Sequence, residues 1–183
     1  MKVLMISGKS CSGKDAAAFL FQEKLIEKRY RVLTIHFADL VKYYALKYFD
    51  WNGEKNEDGR ALLQLIGTTI MRGYDEDYWA RIIAEFLAAV NNDFDYALIP
   101  DWRFINEYEV VNNYNQYVTT IRVNRYDKDN NLYINPSLTP EQAAHISENQ
   151  LDDFNFDYVI ENKGDLTTLE EAVDTIINDW RLL

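Results

Sequence analysis

An α/β fold built on parallel strands is predicted by three features of this 183-residue sequence. Short apolar runs alternate with longer stretches of helical period. The first run ends on a glycine-containing turn that opens directly into a helix. A hydrophobic content of 48%, with 14% aromatics, supplies enough apolar surface to cover both faces of a sheet. The length suits a single domain spanning 1–183.

Lys2 to Ile6 (K-V-L-M-I) reads as a buried parallel strand. From Lys14 to Arg29, Ala17, Ala18, Leu20, Phe21, Leu25 and Ile26 recur at three- and four-residue spacing with charges between them, the pattern of an amphipathic helix. Arg31 to Ala38 is a second strand, and the β-α-β unit so formed calls for a right-handed crossover. Leu40 to Phe49, Gly59 to Tyr74 and Asp77 to Val90 are helical, with no strand between them. Tyr96 to Pro100 is a third strand, Tyr117 to Val123 a fourth, and Ile105 to Tyr114 the connection between them. Tyr126 to Ser147 is rich in Asp, Asn, Pro and Tyr and exceeds an ordinary connection, so it is a functional flap or a disordered loop. Asp157 to Glu161 is the fifth strand, and Thr167 to Trp180 closes the chain as a helix, with Thr167 and Glu170 placed for a capping box.

Charge and cysteine content exclude several classes of function. Nineteen Lys and Arg against 30 Asp and Glu give a net charge of -11, which argues against a broad surface for polymeric nucleic acid. No apolar run approaches the roughly 20 residues of a membrane span, and the single cysteine, Cys11, makes no internal disulfide, as expected of a reducing cytoplasm. The acidity is uneven. Residues 1–60 hold 11 basic and 8 acidic side chains, a net of +3, whereas residues 61–183 hold 8 and 22, a net of -14. A focused site for a small polyphosphate is compatible with that distribution.

Gly8-Lys9-Ser10-Cys11-Ser12-Gly13-Lys14-Asp15 fits the phosphate-loop pattern G-x-x-x-x-G-K, with a strand before it and a helix after it. Glycines let the backbone fold round a triphosphate with N–H groups pointing inward, and Lys14 brings a movable cation to the β- and γ-phosphates. A triphosphate with a divalent metal, Mg2+, is the expected ligand. Asp15 stands where such loops normally carry Ser or Thr for magnesium, so either its carboxylate takes over the metal contact, or Asp101 at the end of the third strand holds the metal, or Asp15 only caps the helix. Cys11 has no paired base in the sequence pattern and is read as a variable loop position.

Four further segments follow in order. They are Phe37-Ala38-Asp39-Leu40-Val41-Lys42, the stretch from Gly59-Arg60 through Gln64, Gly67 and Thr68 to Arg72, Asp101-Trp102-Arg103-Phe104-Ile105-Asn106-Glu107, and His145-Ile146-Ser147-Glu148. With the phosphate loop they resemble the deoxynucleoside monophosphate kinase family of bacteriophages, which carries G-K-x-x-S-G-K-D, F-A-D-x-x-K, R-x-x-x-Q-x-x-G-T, D-x-R-F-x-N-E and H-x-S-E. The resemblance extends from Met1 to about Leu169. It implies a P-loop NMP-kinase-like three-layer sandwich: a five-stranded parallel sheet with helices on both faces, a helical acceptor-binding insert at about 40–92 and a lid at about 126–148. It also implies transfer of the ATP γ-phosphoryl to a deoxynucleoside 5′-monophosphate in the cytoplasm, that of the host if the chain is phage-encoded.

Roles follow for named side chains. Lys14 and the amides of Gly8 to Asp15 hold the ATP phosphates; Asp101 and Asp15 organise magnesium; Asp39 faces the acceptor. Lys42, Arg60, Arg72 and Arg103 are candidates for the acceptor phosphate, and Gln64, Thr68 and Trp102 for its nucleoside, with core packing the rival reading of Trp102. Arg60 and Arg72 are otherwise solvated helix charges, and Arg103, at alternate spacing from Asp101, otherwise pairs with Asp101 or Asp39. The lid segment is poor in arginine, which leaves Arg125, with Lys128 behind it, or Arg72 and Arg103 from the core, to reach the transferred phosphoryl. His145 is expected near the lid or the nucleotide, or on a surface loop, and His36 in or near the core of a strand. Trp51, Tyr43 and Tyr44 offer a candidate homodimer face or ordinary packing. Two other functions fit the phosphate loop: a kinase acting on another small phosphorylated metabolite, and a nucleotide-binding regulatory module without transfer.

Overall fold

The computed structural model describes residues 1–115 and 117–179. Five parallel strands form one sheet in the order β2-β3-β1-β4-β5: β1 (Lys2–Ser7), β2 (Val32–Thr34), β3 (Tyr96–Trp102), β4 (Val118–Arg125) and β5 (Tyr158–Asn162). Strand β1 alternates its side chains between two buried faces, as a central strand must. Leu4 and Ile6 pack under α1 (Lys14–Glu27) and α9 (Leu166–Asp179), with Phe21, Leu25, Val173 and Ile177. Val3 and Met5 pack on the opposite face with Ala80, Ile83 and Leu87 of α5 (Tyr78–Ala89) and Val111 of α6 (Ile105–Tyr114). The result is a three-layer sandwich with β1 at its centre.

Between β2 and α5 the chain builds a helical wall: α2 (Ala38–Tyr48), α3 (Glu57–Gln64), a π-helical turn (Leu65–Ile70) and α4 (Met71–Tyr74). It has a core of its own, with Val41, Ala45, Ile66 and Trp79 buried together and Tyr44 and Trp51 packed against them. Of the three residues considered for a dimer face, only Tyr43 is therefore freely exposed. The segment after β4 carries two short helices, α7 (Pro140–Ala144) and α8 (Ile146–Asn149), and folds back over the C-terminal ends of the strands.

Several local readings need correction. Residues 105–114 form a helix rather than a plain connection: it buries little beyond Glu107 and Val111, so its apolar period is faint in N-E-Y-E-V-V-N-N-Y. Strand β2 stops at Thr34, and His36 lies outside it, half-buried at the rim of a cavity rather than in the core. Thr167 does not open the last helix. Asp165 does so, accepting from the Thr167 amide (3.0 Å) and the Thr168 hydroxyl (3.4 Å). Trp180, the expected end of that helix, lies outside the described residues.

Candidate active site

In an open parallel sheet, ligands bind beyond the carboxyl ends of the strands, where neighbouring connections diverge. Here β1 lies between β3 and β4, and Gly8 to Asp15 leaves its end. The loop's shape follows from two glycines. A Cβ on Gly8 would stand 2.7 Å from the Val123 carbonyl oxygen, and Gly13 adopts φ +96° against the side chain of Asn162, so neither position accepts a larger residue. Cys11 also has positive φ, at 62°, with its side chain exposed. The loop is tied from outside: Asn162 Nδ2 donates to the Ser12 carbonyl (2.8 Å), and Arg125 Nη1 donates to the Cys11 carbonyl (3.1 Å) while its guanidinium lies 4.4 Å over the Tyr133 ring. Helix α1 begins directly behind Gly13, so the first-turn amides and the dipole face the loop.

A cavity of about 440 Å³ opens in front of Lys14. Lys14 is 93% buried on its side-chain-bearing residue surface, with 7% exposed. Burial lowers its ammonium pKa and Arg103 lowers it further, while Asp15, Glu148 and Asp101 pull it back up. Asp15 lines the cavity and forms no side-chain hydrogen bond or ion pair among the described residues; α1 has no side-chain cap, so the capping reading of Asp15 fails. Asp101 also lines the cavity. Its two carboxylate oxygens accept from the amides of Phe37 (3.0 Å) and Ala38 (2.9 Å), which ties the end of β3 to the start of α2 and leaves further lone pairs on each oxygen.

The far wall is the helical insert. Lys42, Arg60, Gln64, Thr68 and Arg72 all line the cavity, as does Gly67. The π turn at Leu65–Ile70 widens the helix there by one residue per turn and turns Gly67, Thr68 and Arg72 toward the same space. The Gly67 carbonyl accepts from Trp79 Nε1 at 2.9 Å, which fixes the turn against α5. Arg72 is no solvated surface charge. Its guanidinium stacks 3.9 Å from the Phe104 ring centre, pairs with Glu107, and donates to the Glu76 carbonyl (3.0 Å) and Asn106 Oδ1 (3.2 Å). Glu107, fully buried, also accepts from the amides of Arg103 (2.8 Å) and Phe104 (3.0 Å). Burial pushes its carboxyl up to about 7, against the pull of Arg72 and the two amides.

Four candidates are not among the residues that line the cavity. Trp102 is fully buried against Phe154, Phe156 and Tyr108, and its Nε1 donates to the Phe104 carbonyl (2.7 Å), so it packs the core and has no face to offer a base. Asp39 is not among the lining residues: it accepts from the His36 amide (3.1 Å) and from Lys42 Nζ (3.2 Å), two residues that are, at the start of α2. Arg125 is bonded to the phosphate loop at the Cys11 carbonyl, and His145 sits in the lid segment beside the cavity-lining Ser147. His145 Nδ1 accepts from the Ser147 amide (3.2 Å) and thereby opens α8. Arg103 lines the cavity, yet its partner is neither Asp101 nor Asp39. It pairs with Glu148 and donates to the Ser147 carbonyl (2.9 Å).

The structure adds residues that no pattern singled out. Lys55, from the polar stretch before α3, lines the cavity, and its carbonyl accepts from Arg60 Nε at 3.0 Å. Glu107 and Glu148 matter through partners distant in sequence, 35 and 45 residues away from Arg72 and Arg103. Only their place at the ends of the D-x-R-F-x-N-E and H-x-S-E segments marked them.

The family sequence model described as deoxynucleotide monophosphate kinase matches residues 34–173. The chain belongs to the deoxynucleotide monophosphate kinase family. The deoxynucleotide monophosphate kinase of Escherichia phage RB69 is 28% identical over 143 residues, 77% of this chain and 53% of that protein, so the chain spans about half the length of this curated relative. Among solved structures, a sugar kinase from Janibacter superposes with a TM-score of 0.56 at 16% identity, covering 97% of this chain and 95% of that one. The Mycobacterium tuberculosis APS kinase solved with AMPPNP and APS gives 0.54 at 12% identity, covering 97% and 95%. Shikimate kinase from Bacteroides thetaiotaomicron gives 0.53 at 14% identity, covering 98% of each chain. At these identities the likeness is one of fold, the sandwich shared with P-loop kinases. No helix among the described residues is long and apolar enough to cross a membrane.

Proposed function

We propose that this kinase transfers the γ-phosphoryl group of ATP to a (deoxy)nucleoside 5′-monophosphate, giving the diphosphate. The observation that carries the reading is one cavity lined both by Lys14 and Asp15, where the phosphate loop runs into α1, and by Lys42, Arg60, Gln64, Thr68 and Arg72 of the helical insert. Phosphoryl transfer needs two anions brought together in line, and the two groups of cations across one space suit that task. In the transfer an oxygen of the acceptor phosphate forms a bond to the γ-phosphorus, the bond from that phosphorus to the β–γ bridging oxygen breaks, and ADP leaves with the electron pair. A nucleotide phosphate is largely deprotonated at neutral pH, so no strong general base is required.

Lys14 then neutralises charge on the donor, Arg72 and Arg60 hold the acceptor phosphate, and Gln64 with Thr68 offers hydrogen bonds to its nucleoside. The carboxylates of Asp15 and Asp101 face the same space and are hard oxygen donors, so they suit Mg2+, which when bound would draw charge from the β- and γ-phosphates. The insert serves as the acceptor wall and the segment 126–148 as the lid, in a cytoplasmic setting. The test is a panel of deoxy- and ribonucleoside monophosphates, with ADP release as the readout. Stimulation by at least one member is expected. Turnover that none of them stimulates, while another phosphorylated metabolite does, overturns the reading.

A further inference from the structure

The Glu148 carboxylate occupies a position that the preceding assignment leaves without a role. One oxygen accepts from the Ser10 amide of the phosphate loop at 2.9 Å, and the other pairs with Arg103, a cavity-lining cation. Its negative charge also acts on the Lys14 ammonium, holding it toward the charged form. A loop amide and an arginine are among the groups that bind a transferable phosphate, and here one side chain bonds both. The segment that carries it is fastened to the loop. Lys9 Nζ reaches Asn149 (2.9 Å) and Asp152 (2.7 Å), Asn135 Nδ2 donates to Ser10 Oγ (2.9 Å), and Asp152 holds Arg122 of β4 (2.8 Å).

The place of the contact within the loop has a chemical consequence. Ser10 stands four residues before Lys14, on the arm remote from the start of α1, whereas Gly13 and Lys14 sit at the helix N-terminus. A phosphate seated against the helix start draws on the amides that follow Gly13, whereas the Ser10 amide, on the other arm, is already taken by Glu148. Only a chain long enough to carry a further phosphate outward meets Glu148, and two anions do not share one amide and one guanidinium. Resting on the kinase reading above, we propose that Glu148 is a specificity-determining residue for the phosphoryl donor, a carboxylate that a terminal phosphate must displace from the Ser10 amide and Arg103. It sets how strongly a triphosphate is preferred over a diphosphate, and it returns to its partners once the terminal phosphate has been transferred, which favours release of the shorter product.

The experiment measures binding by calorimetry, without acceptor, of AMPPNP and of ADP, each with Mg2+, to the full chain and to its Glu148→Gln and Glu148→Ala variants. Removing one negative charge next to the terminal phosphate is expected to tighten AMPPNP by about tenfold or more and to change ADP by less than about threefold. Glu148→Gln keeps the size and one acceptor oxygen for the Ser10 amide, so it decides the matter if the alanine variant melts early. Equal affinity of AMPPNP for all three proteins overturns the proposal. So does weaker binding to the variants, which would make Glu148 a support for Arg103 or for the metal, and so does equal tightening of both nucleotides. A chain that binds AMPPNP yet is stimulated by no monophosphate loses the acceptor reading and leaves this one standing; a chain that binds neither nucleotide loses both.

Discussion

The two ends of the cavity are built in opposite ways. The phosphate end is one run of eight residues, Gly8 to Asp15, whose shape is set by glycines at its ends and by ties from Asn162 and Arg125 to its carbonyls. The opposite end, which the proposed function makes the acceptor end, is assembled from α2, α3, the π turn, α4 and the start of α6, and its most constrained cation, Arg72, is held by Glu107, Asn106 and the Glu76 carbonyl. A backbone cradle tolerates the loss of one side chain. A cross-braced wall transmits it, because each buried charge there satisfies another.

The largest effect is expected at the cradle. Lys14→Ala removes the donor-side cation and should lower acceptor-dependent ADP release by about 10²- to 10³-fold. The loop itself is held by other residues, and burial already disfavours the Lys14 ammonium, so melting temperature should hold steady or rise. A large drop in melting temperature would mean that the two ends are not so different in construction.

Glu107→Gln probes the wall. The folded-state pKa of Glu107 lies above the ordinary carboxylate value, at about 7, so between roughly pH 4.5 and 7 the folded chain holds the extra proton and stability falls as pH rises through that window. Glutamine cannot titrate. The stability of the variant relative to the parent should therefore improve from pH 4.5 to pH 7, by on the order of 3 kcal/mol at most, and stay level above. Denaturant melts at pH 5 and pH 8 read the difference, and a gap that does not change with pH refutes the assignment of that proton.

The same contrast explains what was legible in the sequence. The five strands and the phosphate loop depend on local rules, apolar runs and glycine geometry, and each was readable from contiguous residues. Helix α6 was not, because it buries one narrow stripe and its polar residues serve long-range partners: Glu107 goes to Arg72, Asn106 to Asp77 and Glu76. Trp102 carried an ambiguous signal, since alternation along β3 places it on one face without saying whether that face meets the cavity or the Phe154 and Phe156 rings. The π turn adds a residue to a helix whose period otherwise reads as regular from Gly59 to Tyr74, so the inward aim of Thr68 and Arg72 needed the fold. Arg103 and Glu148 paired across 45 residues for the same reason.

A smaller effect is expected at Arg60, which is braced by a single hydrogen bond to the Lys55 carbonyl (3.0 Å). Arg60→Ala should raise the KM for the acceptor by about tenfold, equivalent to about 1.4 kcal/mol, and leave AMPPNP affinity unchanged. An equal loss of donor affinity would show that the cavity's two ends act as one unit.

The smallest effect falls on the strap between the two ends. His145 Nδ1 accepts from the Ser147 amide, so its proton resides on Nε2 and the ring is neutral. Burial lowers its pKa, Arg103 lowers it further, and Glu148 opposes both. A histidine kept neutral in the fold contributes stability that is present above its unfolded pKa of about 6.5 and is lost as pH falls below that value. Protonation also removes the acceptor that opens α8, the short helix that carries Glu148 to the loop. His145→Ala should cost about 1 kcal/mol at pH 8, the usual worth of a lost helix cap, and less at pH 5, because the unfolded parent takes up a proton there that the fold disfavours. Chemical denaturation at the two pH values checks this, and a cost that grows toward acid pH would place the proton on Nδ1 and the cap elsewhere.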